Sequence, residues 1–235
     1  MSTIDRPAAP SRTRTAAFWW FALSAVAIAM FAPLPYLTSS LSSLADDQSR
    51  LAANYVDRSL PLRTAFYLHV VFGGTALLLS PIQLSARVRA RAAGLHRVVG
   101  RITIAAICVA GTAGAVLAPV SLAGGVGTAG FGLLAVLWVV FAVAAARAGV
   151  RRDIRAHRRW AIRTFAMTYA AVTLRLWLGV LIAAQSGIAG TESDLAFDRA
   201  YQVVPFLCWV PNLIVAHWVI NKYAGPATPR SVAGP

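Results

Sequence analysis

The 235-residue chain is 58% hydrophobic and only 13% charged, with a mean hydropathy of +0.64. A soluble globule carries roughly a quarter charged residues, so this chain cannot cover its surface with polar groups and must have lipid as its solvent. Its net charge of +14 would suit a nucleic-acid binder, but the arginines cluster in short turns between apolar runs, as the positive-inside rule requires, and nucleic acid is excluded as a partner.

Residues 1–15 are polar, with Arg6, Arg12, Arg14, Pro7 and Pro10, and are expected to form a disordered basic arm. The apolar run 16–37 contains an Ala27-Ile28-Ala29 triplet resembling a leader cleavage site. It stays apolar past that triplet and more spans follow, so it reads as an uncut first membrane helix ending at Pro33 and Pro35. Residues 38–62 are hydrophilic. A second span covers 64–85. From Ile102 to Ala146 there are 45 residues without a charge, too many for one crossing of about 20. Gly124, Gly125 and Gly127 divide this stretch into spans near 101–122 and 127–147. A turn over 147–159 follows, with six arginines against Asp153. The fifth span is expected near 160–184, an acidic connection over 185–200, the sixth span near 202–221, and a flexible tail over 223–235.

The fold class is therefore all-α: a polytopic membrane bundle over 16–222 with six transmembrane helices and both termini cytoplasmic. The arm, the 86–101 turn, the 147–159 turn and Lys222 are basic, while 38–62, 123–126 and 185–200 are neutral or acidic, so every connection agrees with one orientation. No span alternates as an outer-membrane barrel strand would, so every backbone amide must be satisfied within helices; the expected location is a bacterial plasma membrane. The lipid bilayer is the implied partner; no protein partner can be named.

Helical spacing turns the spans into faces. His69, Gly73, Ala76, Ser80 and Gln83 share a stripe on the second span, and His96, Gly100, Thr103, Ile107 and Gly114 share one on the third. On the fifth, His157, Thr164, Thr168 and Arg175 line one face, with Ala166 and Thr173 opposite. Polar groups in hydrocarbon must face protein or a water-filled cavity, so these stripes should meet inside the bundle. Small residues and hydroxyls are also what membrane helices use for close packing, which accounts for the glycines and threonines.

Among polar candidates, His69, Gln83 and Arg175 mark an interior site; no span offers Arg175 an acidic partner. His96, His157 and His217 lie at one depth near the cytoplasmic side, where neutral imidazoles on different helices can ligate a b-type haem and the nearby arginines can pair with propionates. The alternative is lipid headgroup binding by these His-Arg pairs. Gly100, one turn beyond His96, would leave room for a flat ring. Pro81 and Pro211 should kink the second and sixth helices, with Asn212 satisfying freed backbone. Cys108 and Cys208 make no disulfide framework. There is no zinc, covalent-haem, nucleotide or hydrolase motif, so no metal site and no catalytic residue can be assigned.

The pieces HVVFGGTALLLSPIQL, GLHRVVGRITI, HRRWAIRTFAMTYAAVTLRLWL and FLCWVPNLIVAHWVI resemble the bacterial membrane proteins catalogued as domain of unknown function 2306. That resemblance implies a polytopic membrane location and no assigned activity. A partial resemblance covers residues 69–114: His69, Gly73, Gln83, His96 and Gly100 are similar to the pattern of cytochrome b561-type membrane proteins, which carry two bis-histidine haems. It implies at most a cytoplasmic-side haem, held by His96 with His157 or His217, because no second histidine matches the depth of His69. Three functions stay open: a haem-binding electron-transfer component, a small transporter with Arg175 in an anion-sensitive cavity, or an assembly partner of another membrane complex.

Overall fold

The computed structural model describes residues 12–223, and within them every regular element is helical. Six stretches are long and apolar enough to cross a bilayer: Thr15–Thr38, Leu60–Leu84, Ala93–Val120, Gly124–Val150, Ile154–Ala189 and Ser193–Lys222. Most of the expected basic arm and all but the first residue of the expected tail lie outside the described residues. Residues 12–15 already belong to the first helix.

The first crossing is α1 (Arg12–Phe31) followed by the short α2 (Leu34–Thr38), the break falling at Pro33. The hydrophilic connection is itself ordered as α3 (Leu41–Asp46) and α4 (Arg50–Val56), whose first turns are capped by Ser40 and Ser49. They cover one end of the bundle through Leu41, Ala52 and Tyr55, which are buried against Ala65, Phe66, Ala113 and Leu117. Helix α5 (Leu60–Leu84) and α7 (Ala93–Leu117) form the principal hairpin, joined by α6 (Ala86–Arg91). Arg89 of α6 donates to the carbonyls of Gln83 and Leu84 at 2.9 Å each, supplying positive charge where the α5 dipole is negative.

A 3-10 turn at Ala118–Val120 leads into α8 (Gly124–Val150). The fifth crossing is interrupted at Tyr169 into α9 (Ile154–Thr168) and α10 (Ala170–Ala189). The sixth divides into α11 (Ser193–Leu207) and α12 (Val210–Tyr223). Pro211 explains the second break, because its ring collides with the carbonyl four residues back, that of Leu207, where α11 ends. Helices α10 and α11 continue well past the apolar runs, so the stretch read as an acidic connection is largely helical, with Gly190 in the left-handed conformation (φ 64°) as the stop.

Two seams between crossings are tied by polar side chains. Between α5 and α7 the small and polar stripes face one another as expected. The Nδ1–H of His69 donates to the Ala110 carbonyl at 2.9 Å, and Gln83 donates to the His96 carbonyl at 3.2 Å. Glycines make these contacts fit: a Cβ on Gly114 would lie 3.0 Å from the His69 ring, and one on Gly100 would lie 3.2 Å from the Gln83 amide oxygen. The space expected beside Gly100 for a flat ring is thus taken by Gln83. Between the two broken helices, Asn212 donates to Cys208 and Ala166 carbonyls and to the Thr173 hydroxyl, which itself donates to the Cys208 carbonyl at 2.6 Å. Asn212 does satisfy backbone beside the proline.

This second seam corrects one expectation. Ala166 is 5% exposed and Thr173 is bonded into the seam, so neither faces lipid opposite Thr168. The side of the fifth crossing opposite Thr168 is covered by α12, whose Asn212 donates to the Ala166 carbonyl and to the Thr173 hydroxyl.

Candidate functional site

Beneath the α2–α4 cap lies a mostly apolar cavity of about 490 Å³ that reaches every crossing. Its polar lining comes from Tyr36 of α2, Asn54 and Tyr55 of α4, His69 of α5, Ser121 of the turn before α8, Thr168 and Arg175 of the fifth crossing, and Tyr201 of α11. No aspartate or glutamate lines it. The cap is tied over it by two of its residues, Asn54 and Arg50, the latter also donating to the Asp194 carbonyl at 3.1 Å. Asn54 donates to the Val120 carbonyl at 3.0 Å, and Arg50 pairs with Asp198 at 2.6 Å while lying 4.5 Å above the Phe197 ring.

Arg175 lines the cavity but is itself exposed, so the stripe expected to face the bundle interior does not bury its last residue. Its guanidinium spends one Nη1 hydrogen bond on Ala171 of its own helix, at 2.7 Å, and has no other protein acceptor among the described residues. Tyr36, Tyr201 and His69 are within electrostatic reach of it. Because a carbonyl can only accept, the His69 bond to Ala110 fixes the proton on Nδ1 and leaves Nε2 as the lone-pair nitrogen. The Tyr55 phenol sits above the spanning segments, and burial pushes its pKa above 10.0, against the smaller opposing influence of Asn54 and Arg58. It therefore stays protonated and able to donate. Thr168 is already committed: it accepts from the Trp138 indole at 2.9 Å and donates to Thr164.

This arrangement brings together two of the residues singled out from sequence, His69 and Arg175, and separates the third. Gln83 lies at the far end of α5, on His96. Four further polar residues, Tyr36, Asn54, Tyr55 and Tyr201, were not singled out from sequence. Asn54 and Tyr55 lie in the stretch that reads as a polar connection, whereas Tyr36 and Tyr201 lie in or beside apolar spans, where a lone tyrosine gives no local signal of a shared site.

At the basic end, His157 donates through Nδ1 to the Ala145 carbonyl at 2.8 Å, against Gly149. His96 has its Nδ1 buried with no hydrogen-bond partner. His217 is exposed, with its Nε2 against the Asn221 amide at 2.9 Å. None of these three histidines lines the cavity. Among the described residues, no three His, Cys, Asp or Glu side chains are grouped to hold a metal ion.

A family model described as "Predicted membrane protein (DUF2306)" matches residues 66–220. The match spans α5 to α12 and so includes both seams, His69 and Arg175. No curated protein and no solved structure matches the chain, so the similarity to cytochrome b561-type proteins has no further support. The five residues that carry it all lie on α5 and α7, where they form or line the seam.

Proposed function

We propose that this chain, which belongs to the DUF2306 family of predicted membrane proteins, binds an amphipathic organic anion in the capped cavity, as the binding step of a small transporter. The carrying observation is Arg175, a cation in a membrane cavity with no acid in its lining and only its own helix's carbonyl as acceptor. Ionisable groups in membrane spans ordinarily pair or line a substrate path. An acid headgroup on Arg175, with phenol donors from Tyr36, Tyr55 and Tyr201, would supply the missing charge, and the apolar walls suit an aliphatic or aromatic body. Interrupted helices beside the site support transport, since transporters build substrate sites where spanning helices are broken.

The test is thermal unfolding of purified protein with carboxylic and phosphonic acids of aromatic or short aliphatic body, against the matching neutral alcohols. The acids raise the unfolding temperature and the alcohols do not. Arg175→Gln weakens the acid's binding by roughly 10–100-fold, the worth of a charge-assisted hydrogen bond. Equal shifts with acids and alcohols, or an undiminished shift in the variant, would sink the reading. Counterflow of the best acid into proteoliposomes then separates a transporter from a receptor. The reading places the protein in a bacterial plasma membrane with both termini cytoplasmic, on the charge asymmetry of the connections.

A second reading, b-type haem held by His96 with His157, rests on the buried, unpartnered Nδ1 of His96. His157 fits a ligand in one respect: its Nδ1–H is held by a carbonyl, as ligating histidines commonly are, leaving Nε2 free. Against it stand Gln83 in the space beside Gly100 and the exposure of His217. A Soret absorption in purified protein that disappears in His96→Ala establishes this reading, and colourless protein ends it.

A further inference from the structure

A second concavity lies at the basic end of the bundle, remote from the capped cavity and independent of its function. It has a volume of about 490 Å³ and runs along α8 from Val139 and Val140 to Arg147 and Arg151, with Trp160 of α9 as its other wall. Its two parts differ sharply in chemistry. The stretch from Val139 to Ala144 is apolar, and Val140 is 50% exposed. The upper part presents Arg147 and Arg151, one helical turn apart at the α8 terminus. Among the described residues neither guanidinium donates to a protein acceptor, and the ion pair found there is elsewhere, between Arg50 and Asp198. Asp153 also lines the groove, but its carboxylate caps α9 by accepting from the Ala156 N–H at 2.9 Å, and it is one negative charge against two positive.

The dimensions match one membrane leaflet. From Val139 to Arg151 the helix rises about 18 Å, slightly more than half of a hydrocarbon core of roughly 30 Å. Trp160 stacks on Phe141 at 5.6 Å and carries Arg163 at 4.9 Å over its ring, placing an aromatic wall where indoles settle at the lipid–water boundary. A free anion would use the arginines and leave the apolar wall bare. A neutral or zwitterionic lipid would use the wall and leave two cations without a counter-charge.

We propose that this groove is a binding site for one anionic phospholipid, with its phosphate between Arg147 and Arg151 and an acyl chain along Val139, Val140 and Val143 against Trp160. The proposal concerns a single seated lipid rather than general attraction to the arginine-rich edge, and the test separates the two.

Full-length protein is incubated in detergent with an equal mixture of phosphatidylglycerol and phosphatidylcholine of identical chains, and retained lipid is counted by native mass spectrometry. Wild type retains one phosphatidylglycerol with a preference on the order of tenfold, as expected for two basic residues at a membrane surface. Replacing both groove arginines (R147Q with R151Q) removes that preference, whereas removing two arginines of the other basic turn (R87Q with R91Q) leaves it. Val140→Trp, which fills the apolar wall without touching the charges, lowers retention too and guards against a misfolded double variant. The proposal is overturned if both arginine pairs matter equally, which means a diffuse basic edge. It is also overturned if glycerol 3-phosphate displaces the lipid at equal concentration, which means a small-anion site, or if phosphatidylcholine is retained equally.

Discussion

Arg175 is kept in a span at a cost. Insertion scales put a central arginine at about 2.5–3.5 kcal/mol, and here only the Ala171 carbonyl is seen to offset it. Replacing it with leucine should therefore stabilise the ligand-free protein, by on the order of 1 kcal/mol, while abolishing stabilisation by organic acids. Thermal unfolding with and without acid checks both halves, and a less stable ligand-free variant would mean that the guanidinium holds the fold together. His69 has the opposite character, because its ring ties α5 to α7 and lies against Gly114. Gly114→Ala would put a methyl 3.0 Å from the ring and should cost about 1–3 kcal/mol through overpacking, measurable as a lowered unfolding temperature. A neutral effect would show that the ring can move and that the glycine is incidental. The two residues thus differ in character: one is a cation whose protein acceptor is a carbonyl of its own helix, and the other ties two helices together.

At the level of elements, the apolar runs and the glycine-lined stripes were legible because each rests on a local rule: span length, charge-free composition and helical spacing. The stripes on the second and third spans met as α5 and α7 for that reason. The break at Pro211 was legible too, since proline removes a donor wherever it falls in a helix. The break at Tyr169 was not. No glycine or proline marks it; Tyr169 is instead held by a tertiary contact, its hydroxyl 2.7 Å from that of Ser24 on α1, and such a contact has no signature in the local pattern. The cap was missed for a similar reason, since α3 and α4 are short and gain their stability by packing on Phe66 and Leu117. The seam between α8 and α11 was equally hidden: a Cβ on Gly130 would fall 2.6–2.8 Å from Pro205, backbone atoms included. Because backbone cannot step aside as a side-chain tip can, Gly130→Ala should destabilise by about 1–3 kcal/mol. It should also loosen α11, on which Tyr201 and the cap's partner Asp198 are carried. Limited proteolysis of the cap, faster in the variant than in wild type, is the measurement; an unchanged rate would separate that seam from the cap.

For the whole molecule, the charge distribution predicts an orientation that can be tested connection by connection. The capped end carries α3, α4, the 3-10 turn and the start of α11, brought together by the Asn54–Val120 and Arg50–Asp198 contacts. The other end carries α6, the Arg151–Asp153 turn and the end of α12, with Arg89, Arg97, Arg151, Arg152, Arg155, Arg158 and Lys222 in or beside those segments. Basic connections are retained on the cytoplasmic side during insertion. The capped cavity is then reached from outside, and the arginine-flanked groove faces the cytoplasmic leaflet, where anionic lipid gives the surface its negative potential. On the proposed function, a carrier oriented this way would meet its organic acid under the cap. Each part of that picture depends on the same sign. Reporter fusions at residues 50, 125 and 190 should therefore read outside, and fusions at 92, 153 and 235 inside. A single reversed connection would contradict the six-crossing topology, whereas reversal of all six would keep the fold and turn the cavity toward the cytoplasm. In that second case the arginine-rich turns would lie outside, against the positive-inside rule. Neutralising the arginines at 87, 89 and 91 would then leave the orientation unchanged. With the orientation argued here, the same substitutions should produce a mixed population of the two.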